Sequence, residues 1–577
     1  MITNRVPYPG HLSISKLGVF LHPADPATRP AKRVASRIGV GALVTIEGTT
    51  NKLVEVQFVD RNGEFMQLSM LPSEFEDFRQ FRRLLLDHGY KFPGDPKITQ
   101  MLHSYLVGQA PKQRRHVVHR QGWNGNHFVF AGEPVRLADR VLSFEPANPD
   151  HARNFGRGGT LQGWQDGIAK HARHSTRLTL SISLGLAAAL LKFSDVENGG
   201  IHLTGESAFS KTTFMLAAAS VSGRAVRNDL YSWDNTKTGF EELAAAHNDS
   251  LLCLDEIQRA EDITTARGKV IRDAVFKLAG GTGRIRSTLY RAKMGQQSIT
   301  WRVLFLSTGE HSLNEIARID SMDQLKGELV RAIDLPALVH DEYKSFESLP
   351  AGYTNARKLT EDIEAECLKN YGVPLREFVK CVAQDAEAIR AEIAAEMQRF
   401  FKGAGVPEQG WEHRFAKRFA LAYAAAKLAI KYEIVPWDGK MVAHAIKACY
   451  LAARAAVPDA DKLRADGFAR LRAQLSGAAI ILDLVRSGHN VRWTSEQAQA
   501  AEVFRRSDPR GLHYLVEPDR FDSWFESPKQ INLVLGEIDR LCFLIKDPNR
   551  RTLQAQIHGI PRKRGYYAIR EGILTGT

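Results

Sequence analysis

Lys211 and Thr212 close a glycine-led segment with the composition of a phosphate-binding loop. The apolar run IHLT leads into Gly205, and the helix-forming stretch MLAAASVSG follows. A strand, a loop and a helix in that order place backbone amides and a helix N-terminus around phosphate oxygens. Lys211 would then reach the β and γ phosphates of a nucleotide, and the Thr212 hydroxyl would ligate Mg²⁺. The predicted nucleotide-binding residues of this loop are Gly205, Ser207, Ser210, Lys211, Thr212 and Thr213.

Ser210 is the departure from the usual loop pattern, which has a second glycine at this position. Glycine tolerates backbone angles and close ligand approach that a Cβ hinders. The serine therefore predicts weakened or altered nucleotide binding. The alternative for the loop alone is a chance match to the pattern.

A second motif, Leu251–Glu256, reduces the weight of that alternative. Four apolar residues of a buried strand deliver Asp255 and Glu256 at its C-terminal end, where an open α/β sheet places its ligand site. Asp255 would hold Mg²⁺ through water, and Glu256 would polarise the attacking water as a general base. The alternative is a strand that ends in a solvated acidic pair.

A third apolar strand, Val303–Leu306, ends at Ser307 and Thr308. A hydroxyl at that point would contact the γ-phosphate or its attacking water, although Ser-Thr-Gly also makes an ordinary turn. This motif supports the nucleotide site because it follows the loop and the carboxylates in the chain.

The segment between the second and third strands is glycine-rich and basic. It would form a β-hairpin that carries cations into a central pore, where they track phosphates. The alternatives are a solvated hairpin or a basic subunit contact. The predicted DNA-binding residues are Arg284, Arg286, Arg291 and Lys293.

Several arginines are candidates for contact with phosphate at the nucleotide site. Arg331 precedes a short strand, and in ring ATPases such an arginine reaches a neighbour's γ-phosphate and stabilises transition-state charge. Arg318 competes for that role. Arg414 and Arg418 lie one helical turn apart further on, and either would sense phosphate in cis or in trans; an arginine that only snorkels at the surface is the alternative.

The ordered set of motifs resembles a phage and mobile-element ATPase family catalogued as a domain of unknown function, which is similar to MCM-like AAA+ replicative helicases. The resemblance runs from about Gly18 to Trp437. It is carried by GWNGNHFVF, the loop ending Ser-Lys-Thr-Thr, Ser232-Trp233 with Thr236, Glu241 through Asp249, LLCLDEI, LSTGE and KRFALAYAAAKLA.

The resemblance implies a hexameric ring that uses ATP and Mg²⁺ to move along single-stranded DNA. On that pattern the loop residues and the carboxylates take nucleotide roles, and Ser307 or Thr308 takes the role called sensor 1. The family has glycine where this chain has Ser210. The rate of ATP hydrolysis is therefore the property in which this chain is most expected to differ from the family.

The elements that must position these residues predict an α/β fold with four parts. Residues 1–160 mix short strands with one amphipathic helix from about Ser73 to His88 and form a small α+β domain. Residues 163–336 alternate helices with apolar strands, which is typical of a parallel sheet covered on both faces. The resemblance implies that this α/β core is an AAA+ P-loop core. Residues 337–460 form a helical lid. Residues 465–577 carry helices and then a β-ribbon, which is compatible with a winged helix that grips duplex DNA.

The chain of 577 residues is longer than one hydrophobic core supports, and its 44% hydrophobic content excludes wholesale disorder. The net charge of +13 favours a polyanionic partner. The basic run 112–120 and the stretch Arg562–Arg564 with Tyr566 and Tyr567 are further candidate DNA contacts, although such runs are more often solvated faces.

The five cysteines form no CxxC pair, so neither a zinc site nor a disulfide framework is indicated. We expect a cytoplasmic protein, because the N-terminus lacks an apolar signal segment and the longest apolar stretch, Leu178 to Leu191, is too short to span a bilayer. The leading hypothesis is an ATP-dependent DNA helicase or translocase. The alternative is a nucleotide-gated DNA-binding initiator or defence assembly protein with weak or no hydrolysis.

Overall fold

The computed structural model describes most of the chain. The described residues are 11–24, 29–47, 52–111, 113–118, 120–144, 154–206, 210–233, 236–255, 267–283, 299–319, 330–457, 460–477, 481–484, 493–525, 527–548 and 550–575.

The N-terminal region contains an antiparallel three-stranded sheet, a six-stranded mixed sheet and a hairpin. The six-stranded sheet has the order β10-β11-β7-β4-β5-β6, in which β7 runs parallel to β4 and β11. The strands are β1 His11–Ser15, β2 Gly18–His22, β3 Lys32–Ala35, β4 Ile38–Ile46, β5 Lys52–Val59, β6 Phe65–Met70, β7 Gln113–Val118, β8 Gly122–Asn124, β9 His127–Val129, β10 Val135–Arg136 and β11 Val141–Phe144.

Three helices cover one face of the six-stranded sheet, α1 Pro72–Glu76, α2 Phe78–Asp87 and α3 Pro96–Val107. The single helix predicted from Ser73 to His88 is therefore two helices. Asp77 has an extended backbone, and its carboxylate accepts hydrogen bonds from the amides of Arg79 and Gln80 at 2.8 Å. A side-chain cap of this kind starts a new helix and interrupts the periodic pattern.

The central region is built on a parallel sheet of order β13-β14-β15-β12-β16. This confirms the parallel sheet predicted from the apolar strands. The strands are β12 Gly199–Thr204, β13 Tyr231–Ser232, β14 Leu251–Asp255, β15 Leu304–Gly309 and β16 Ala332–Pro336. The helices are α4 Leu161–Gly167, α5 Thr176–Ala187, α6 Lys211–Ser220, α7 Lys237–Ala246, α8 Arg267–Gly280 and α9 Leu313–Ile319.

The two faces of this sheet are buried against different helices. Leu304 and Leu306 pack in one cluster with α5 and α6, whereas Val303 and Phe305 pack in another cluster with α7, α8 and α9. Side chains alternate between faces along a strand. Two consecutive residues at a strand end therefore lie on opposite faces of the sheet. The helical segment Thr176–Phe193 has the length and composition to cross a membrane, but 94% of it is buried inside the protein.

Five helices follow the parallel sheet: α10 Ala356–Lys369, α11 Val373–Val382, α12 Ala386–Ala404, α13 Trp411–Lys431 and α14 Gly439–Ala456. The alanine-rich helix α13 is buried in the same cluster as α5 and α6. Small side chains allow such close packing between helices. These helices therefore share a core with the sheet.

The N-terminal region is joined to this core by buried contacts. Trp123 in β8 donates from its indole nitrogen to the carbonyl of Ala189 at 2.8 Å, and its backbone amide donates to Asp249 at 2.9 Å. Arg376 in α11 is buried and donates to the Glu133 carboxylate at 2.7 Å. Such paired buried groups are costly to separate, so the two regions pack as neighbours with a fixed contact.

The C-terminal region is a mixed α/β unit. Its elements are α15 Ala460–Gly477, β17 Ile481–Asp483, α16 Ser495–Ala500, β18 Val503–Asp508, β19 Gly511–Val516, α17 Pro518–Asp522, α18 Pro528–Arg540, β20 Leu544–Ile545, β21 Leu553–Ala555, β22 Arg564–Arg570 and α19 Gly572–Thr575. The sheet order is β17-β18-β19-β22-β20, and β21 also pairs with β22.

One prediction for the C-terminal region is wrong. The stretch LSGAAIILDLVRSG was expected to be helical, but its residues Ile481–Asp483 form β17, which pairs in parallel with β18. A short aliphatic run fits either structure, and here a neighbouring strand decides the outcome. The helix expected at PKQINLVLGEIDRL is confirmed as α18, and the strands expected at CFLIKD and YYAIR are confirmed as β20 and β22.

Candidate nucleotide site

Lys211 begins α6 directly after the loop that leaves β12. Its ammonium donates to the loop carbonyls of Gly205 at 2.5 Å and Glu206 at 2.7 Å. Burial lowers the pKa of Lys211, while the carboxylates of Glu310, Asp255 and Glu206 act in the opposite direction. The lysine therefore lies at the C-terminal edge of the parallel sheet, close to three acidic groups. Ser207 lies outside the described residues.

Ser210 has φ 54° and ψ 16°, which is the left-handed region that glycine adopts without strain. For other residues this conformation costs about 1–2 kcal/mol. Ser210 therefore holds a backbone conformation that favours glycine, the residue usual at this position, at a cost in conformational energy.

Asp255 ends β14 and meets the hydroxyl of Thr308 from the neighbouring strand β15. Asp255 and Thr308 both point to the α5 and α6 side of the sheet, because they follow Cys253 and Leu306 of that cluster at intervals of two. The structure therefore brings Lys211, Asp255 and Thr308 to one end and one face of the sheet. Glu256 lies outside the described residues.

Ser307 lies on the opposite face. Its hydroxyl is 2.8 Å from Nδ1 of His202, and Nε2 of the same ring is 3.1 Å from the carbonyl of His311. A carbonyl only accepts, so Nε2 carries the proton and Nδ1 accepts from Ser307. Burial lowers the pKa of His202 to about 4, which agrees with a neutral ring. Of the two hydroxyls predicted for the sensor role, Thr308 is the one beside Asp255.

The contrast between the two hydroxyls gives a prediction for Thr308→Ala. We expect it to lower ATP hydrolysis by about tenfold or more, because the hydroxyl that fixes Asp255 is lost. Steady-state hydrolysis and the apparent melting temperature would be measured for each variant. Ser307→Ala is the matched control, and we expect it to affect melting more than hydrolysis. Equal losses of hydrolysis in both variants would contradict the assignment.

Thr212 and Thr213 differ in their surroundings. The Thr213 hydroxyl donates to the carboxylate of Glu364 in α10, which also accepts from Arg227 at 2.6 Å. Thr213 therefore joins α6 to α10, and the structure does not bring its hydroxyl to the loop. Thr212 is half-buried in the first turn of α6, next to Lys211, so it remains the candidate magnesium ligand of the pair.

The arginines predicted to sense phosphate lie at the other edge of the sheet. Arg418 is buried and donates to the carbonyls of Asn198 and Val330, which precede β12 and β16. It therefore ties together the starts of two strands and is not a phosphate sensor. Arg414 is exposed one turn before it, and a six-residue strand separates the two edges by about 20 Å. The phosphate-sensing role of Arg414, in cis or in trans, stays a prediction.

Arg331 immediately precedes β16, and its carbonyl accepts from the Gly200 amide at 2.8 Å. Its guanidinium lies 4.9 Å from the ring centre of Phe276 in α8. This position is also at the edge where the strands begin, so Arg331 cannot serve its own loop. The role in a neighbouring subunit that the sequence suggests for Arg331 stays a prediction. The side chain of Arg318 lies outside the described residues.

The predicted DNA-binding cations Arg284, Arg286, Arg291 and Lys293 also lie outside the described residues. Most of the basic run 112–120 forms the strand β7, on which alternate side chains face opposite sides of the sheet. Arg115 in this run is paired with Glu55 at 2.5 Å, so its charge is already compensated. Arg562 and Lys563 are exposed before β22, while Arg564 pairs with Glu517 at 2.6 Å.

Sequence reasoning missed three residues that support this site: Glu310, Glu364 and His202. Glu310 is the carboxylate with the largest charge effect on the pKa of Lys211. It follows Thr308 by two positions, so its place after the strand was the signal that pointed to it. Glu364 and His202 gave no signal, because their partners are distant in the chain.

The donor set fits a nucleotide with Mg²⁺. The N-terminus of the ten-residue helix α6 supplies amides for phosphate, and Lys211 supplies the positive charge. Asp255 and Thr212 supply oxygen ligands, and Mg²⁺ takes one or two such ligands together with phosphates and waters. Among the described residues, no group of three or more His, Cys, Asp or Glu side chains could hold a metal ion.

Comparisons with known proteins give a family match for part of the chain and similar solved structures. Residues 15–292 match the model of a family described as "Domain of unknown function (DUF927)". The matched stretch is just under half of the chain and includes the loop, α6 and β14. No curated protein matches the chain.

Among solved structures, the one described as "SCCmec type IV Cch - active helicase" is similar over 98% of this chain and 98% of its own, with a TM-score of 0.63 and 16% identity. Another, described as "The A form apo structure of NrS-1 C terminal region-CTR", covers 71% of this chain and 91% of its own, with a TM-score of 0.25 and 9% identity. The first likeness shows that the chain shares its fold, from end to end, with that protein.

Asp334 in β16 caps the start of α9 and is a second titrating group near the site. Its carboxylate accepts from the amides of Leu313 at 2.9 Å and Asn314 at 3.3 Å. Burial raises the pKa of Asp334 to about 7, above its ordinary value of 3.8. The folded protein therefore binds the proton more tightly, so this group's stabilising contribution falls as pH rises towards 7.

We expect Asp334→Asn to gain apparent melting temperature relative to the parent as pH rises from about 5 to about 7, because the amide has no charge to bury. Its oxygen keeps an acceptor for the helix amides. Asp438→Asn is the control: Asp438 caps α14, and its hydrogen bonds to the amides of Met441 and Lys440 lower its pKa. That variant should show no such change over this range. A difference between Asp334→Asn and parent that does not vary with pH would contradict the prediction.

Proposed function

We propose that the chain is an ATP-dependent DNA helicase or translocase of a phage or mobile genetic element. The observation that supports this most is the placement of Lys211, Asp255 and Thr308 at one end of the parallel sheet. A phosphate-binding lysine and a magnesium-binding carboxylate are groups that phosphoryl transfer uses, and the Thr308 hydroxyl holds that carboxylate. The fold shared with a protein described as an active helicase also supports the proposed helicase or translocase function.

In the proposed mechanism, Lys211 and the α6 amides hold the phosphates, and Asp255 and Thr212 hold Mg²⁺. Bound Mg²⁺ supplies charge neutralisation for the transferred phosphoryl group. Thr308 keeps the Asp255 carboxylate in place, and Glu256 orients the attacking water. Arg331 would complete the site of a neighbouring subunit, which requires a ring, proposed to be a hexamer of AAA+ type.

We further propose that residues 1–160 are an accessory domain, 163–336 the ATPase core, 337–460 its lid and 465–577 a winged helix. For the last of these, the support is the order β19-β22-β20 beside the helices α15, α17 and α18. In this proposal, α18 and the basic segment before β22 would contact one DNA duplex. Single-stranded DNA would pass through the central pore.

Unwinding of a forked DNA duplex by the wild-type protein with ATP tests this function. We expect strand separation with ATP and none with a non-hydrolysable analogue. Glu256→Gln is the matched control, because it keeps the size of the side chain and removes the base. Unwinding that is unaffected by this substitution would argue against the proposed site, and no unwinding by the wild type would favour the second function below.

The second candidate is a nucleotide-gated DNA-binding assembly protein with slow hydrolysis, and the strained backbone of Ser210 favours it. Ser210→Gly separates the two. Ser210 already has the left-handed backbone angles that glycine adopts without strain. The motor proposal therefore expects Ser210→Gly to raise the melting temperature, because about 1–2 kcal/mol of strain is relieved. It expects the turnover of this variant to stay within about threefold of the parent. A gain in turnover of about tenfold or more would show restrained activity instead.

A further inference from the structure

An open cavity of about 640 Å³ lies on the six-stranded sheet of the N-terminal region. It is on the face opposite to α1, α2 and α3, because Glu55 and Gln57 alternate along β5 with the residues that pack on those helices. The turn Ala131–Pro134 and the segment Phe155–Gly156 form its wall. Cavities of about 300–1,000 Å³ are the size that holds a small organic ligand.

The floor of the cavity presents side-chain amides on three strands. Gln57 and Gln67 are register partners on β5 and β6, and Gln113 lies on β7. The Gln57 amide donates to Glu55 at 2.9 Å, but the side chains of Gln67 and Gln113 have no protein partner among the described residues. An amide offers a donor and an acceptor side by side, which matches the edge of a nucleobase and of adenine in particular.

The charges around the cavity leave one cation without a carboxylate. Glu55 is 2% exposed and is paired with Arg115, and Glu133 is paired with Arg376 at 2.7 Å. Arg136 on the edge strand β10 is exposed, and no side chain in the described ranges pairs with it. An unpaired guanidinium in a protein of net charge +13 is suited to a phosphate group.

We propose that this cavity binds a nucleotide, with the base against the glutamine amides and the phosphate at Arg136. A free mononucleotide and one nucleotide of a single strand carry the same chemistry, so the experiment distinguishes them. The site is separate from the loop at Lys211 and does not depend on ATP hydrolysis.

Photo-crosslinking of the full-length protein tests the proposal. The probes are 8-azidoadenosine monophosphate and a short single-stranded oligonucleotide that contains one 8-azidoadenine, with labelled peptides identified by mass spectrometry. We expect label in peptides that cover 113–118 or 131–136. The variant Gln113→Ala with Arg136→Ala changes only exposed side chains and should lose about tenfold of this label. Arg140→Ala, an exposed arginine nearby that pairs with Asp139, is the matched control and should keep it.

The outcomes are distinct. Label from both probes supports a site for a nucleotide from either source, and label from the oligonucleotide alone supports a site for a strand. Lys211→Ala should keep the label, so a failure of the proposed ATPase leaves this result readable. Label only in other peptides, or label unchanged in the double variant, would overturn the proposal.

Discussion

Lys211→Ala is expected to reduce ATP hydrolysis by about a hundredfold or more and to weaken ATP binding, because the loop loses the ammonium that would bind the phosphates. Lys211 lies with its ammonium on the carbonyls of Gly205 and Glu206, and the carboxylates of Glu310 and Asp255 act on its pKa. Arg227 is a second cation whose charge acts with Asp255, but its guanidinium is already paired with Glu364 at 2.6 Å. Binding of a fluorescent ATP analogue and steady-state hydrolysis measure the two effects.

The control for this substitution is Lys380→Ala, which removes an exposed lysine paired with Glu377 on α11. We expect binding and hydrolysis like those of the parent. Removal of Lys211 also leaves two carbonyls without a donor, which costs about 1–3 kcal/mol of stability. The melting temperature of each variant is therefore measured as well, to show that the protein is folded. Hydrolysis retained by a folded Lys211→Ala protein would contradict the site.

Asp255→Asn is expected to lower hydrolysis by about a hundredfold while ATP still binds, which separates it from the lysine variant. The amide oxygen keeps an acceptor for Thr308, but the charge that holds Mg²⁺ is gone. We expect the remaining activity to need a higher magnesium concentration. Hydrolysis measured against magnesium concentration shows this shift.

Asp229→Asn provides the comparison, because Asp229 is a partly exposed carboxylate of the central region that lies in the short helical turn before β13. Its magnesium dependence should equal that of the parent. An Asp255→Asn protein with unchanged magnesium dependence would show that this carboxylate does not hold the metal ion.

The parallel sheet and the position of the loop could be predicted from sequence because the signals are local. A buried strand that ends in Asp255 and one that ends in Ser307 and Thr308 are short apolar runs with polar residues at their ends. Strand ends of a parallel sheet meet at one edge. The approach of Lys211 to Asp255 follows from that rule alone.

Other features depended on contacts that sequence does not carry. Alternation along β15 shows that Ser307 and Thr308 face opposite sides, but only the packing of α5 and α6 decides which side holds the loop. Arg418 looked like a phosphate sensor until the carbonyls of Asn198 and Val330 showed what it holds. The sequence predicts a helix at β17 because the pairing with β18, which decides the structure there, does not show in a short aliphatic run.

The most direct test of the account is the rate of ATP hydrolysis by the wild-type protein, measured with and without single-stranded DNA. A motor that moves on DNA should hydrolyse ATP with Mg²⁺ and do so faster when the strand is present. We predict a DNA-dependent increase that disappears in Lys211→Ala. No hydrolysis under either condition, or hydrolysis that survives the loss of Lys211, would contradict the central claim.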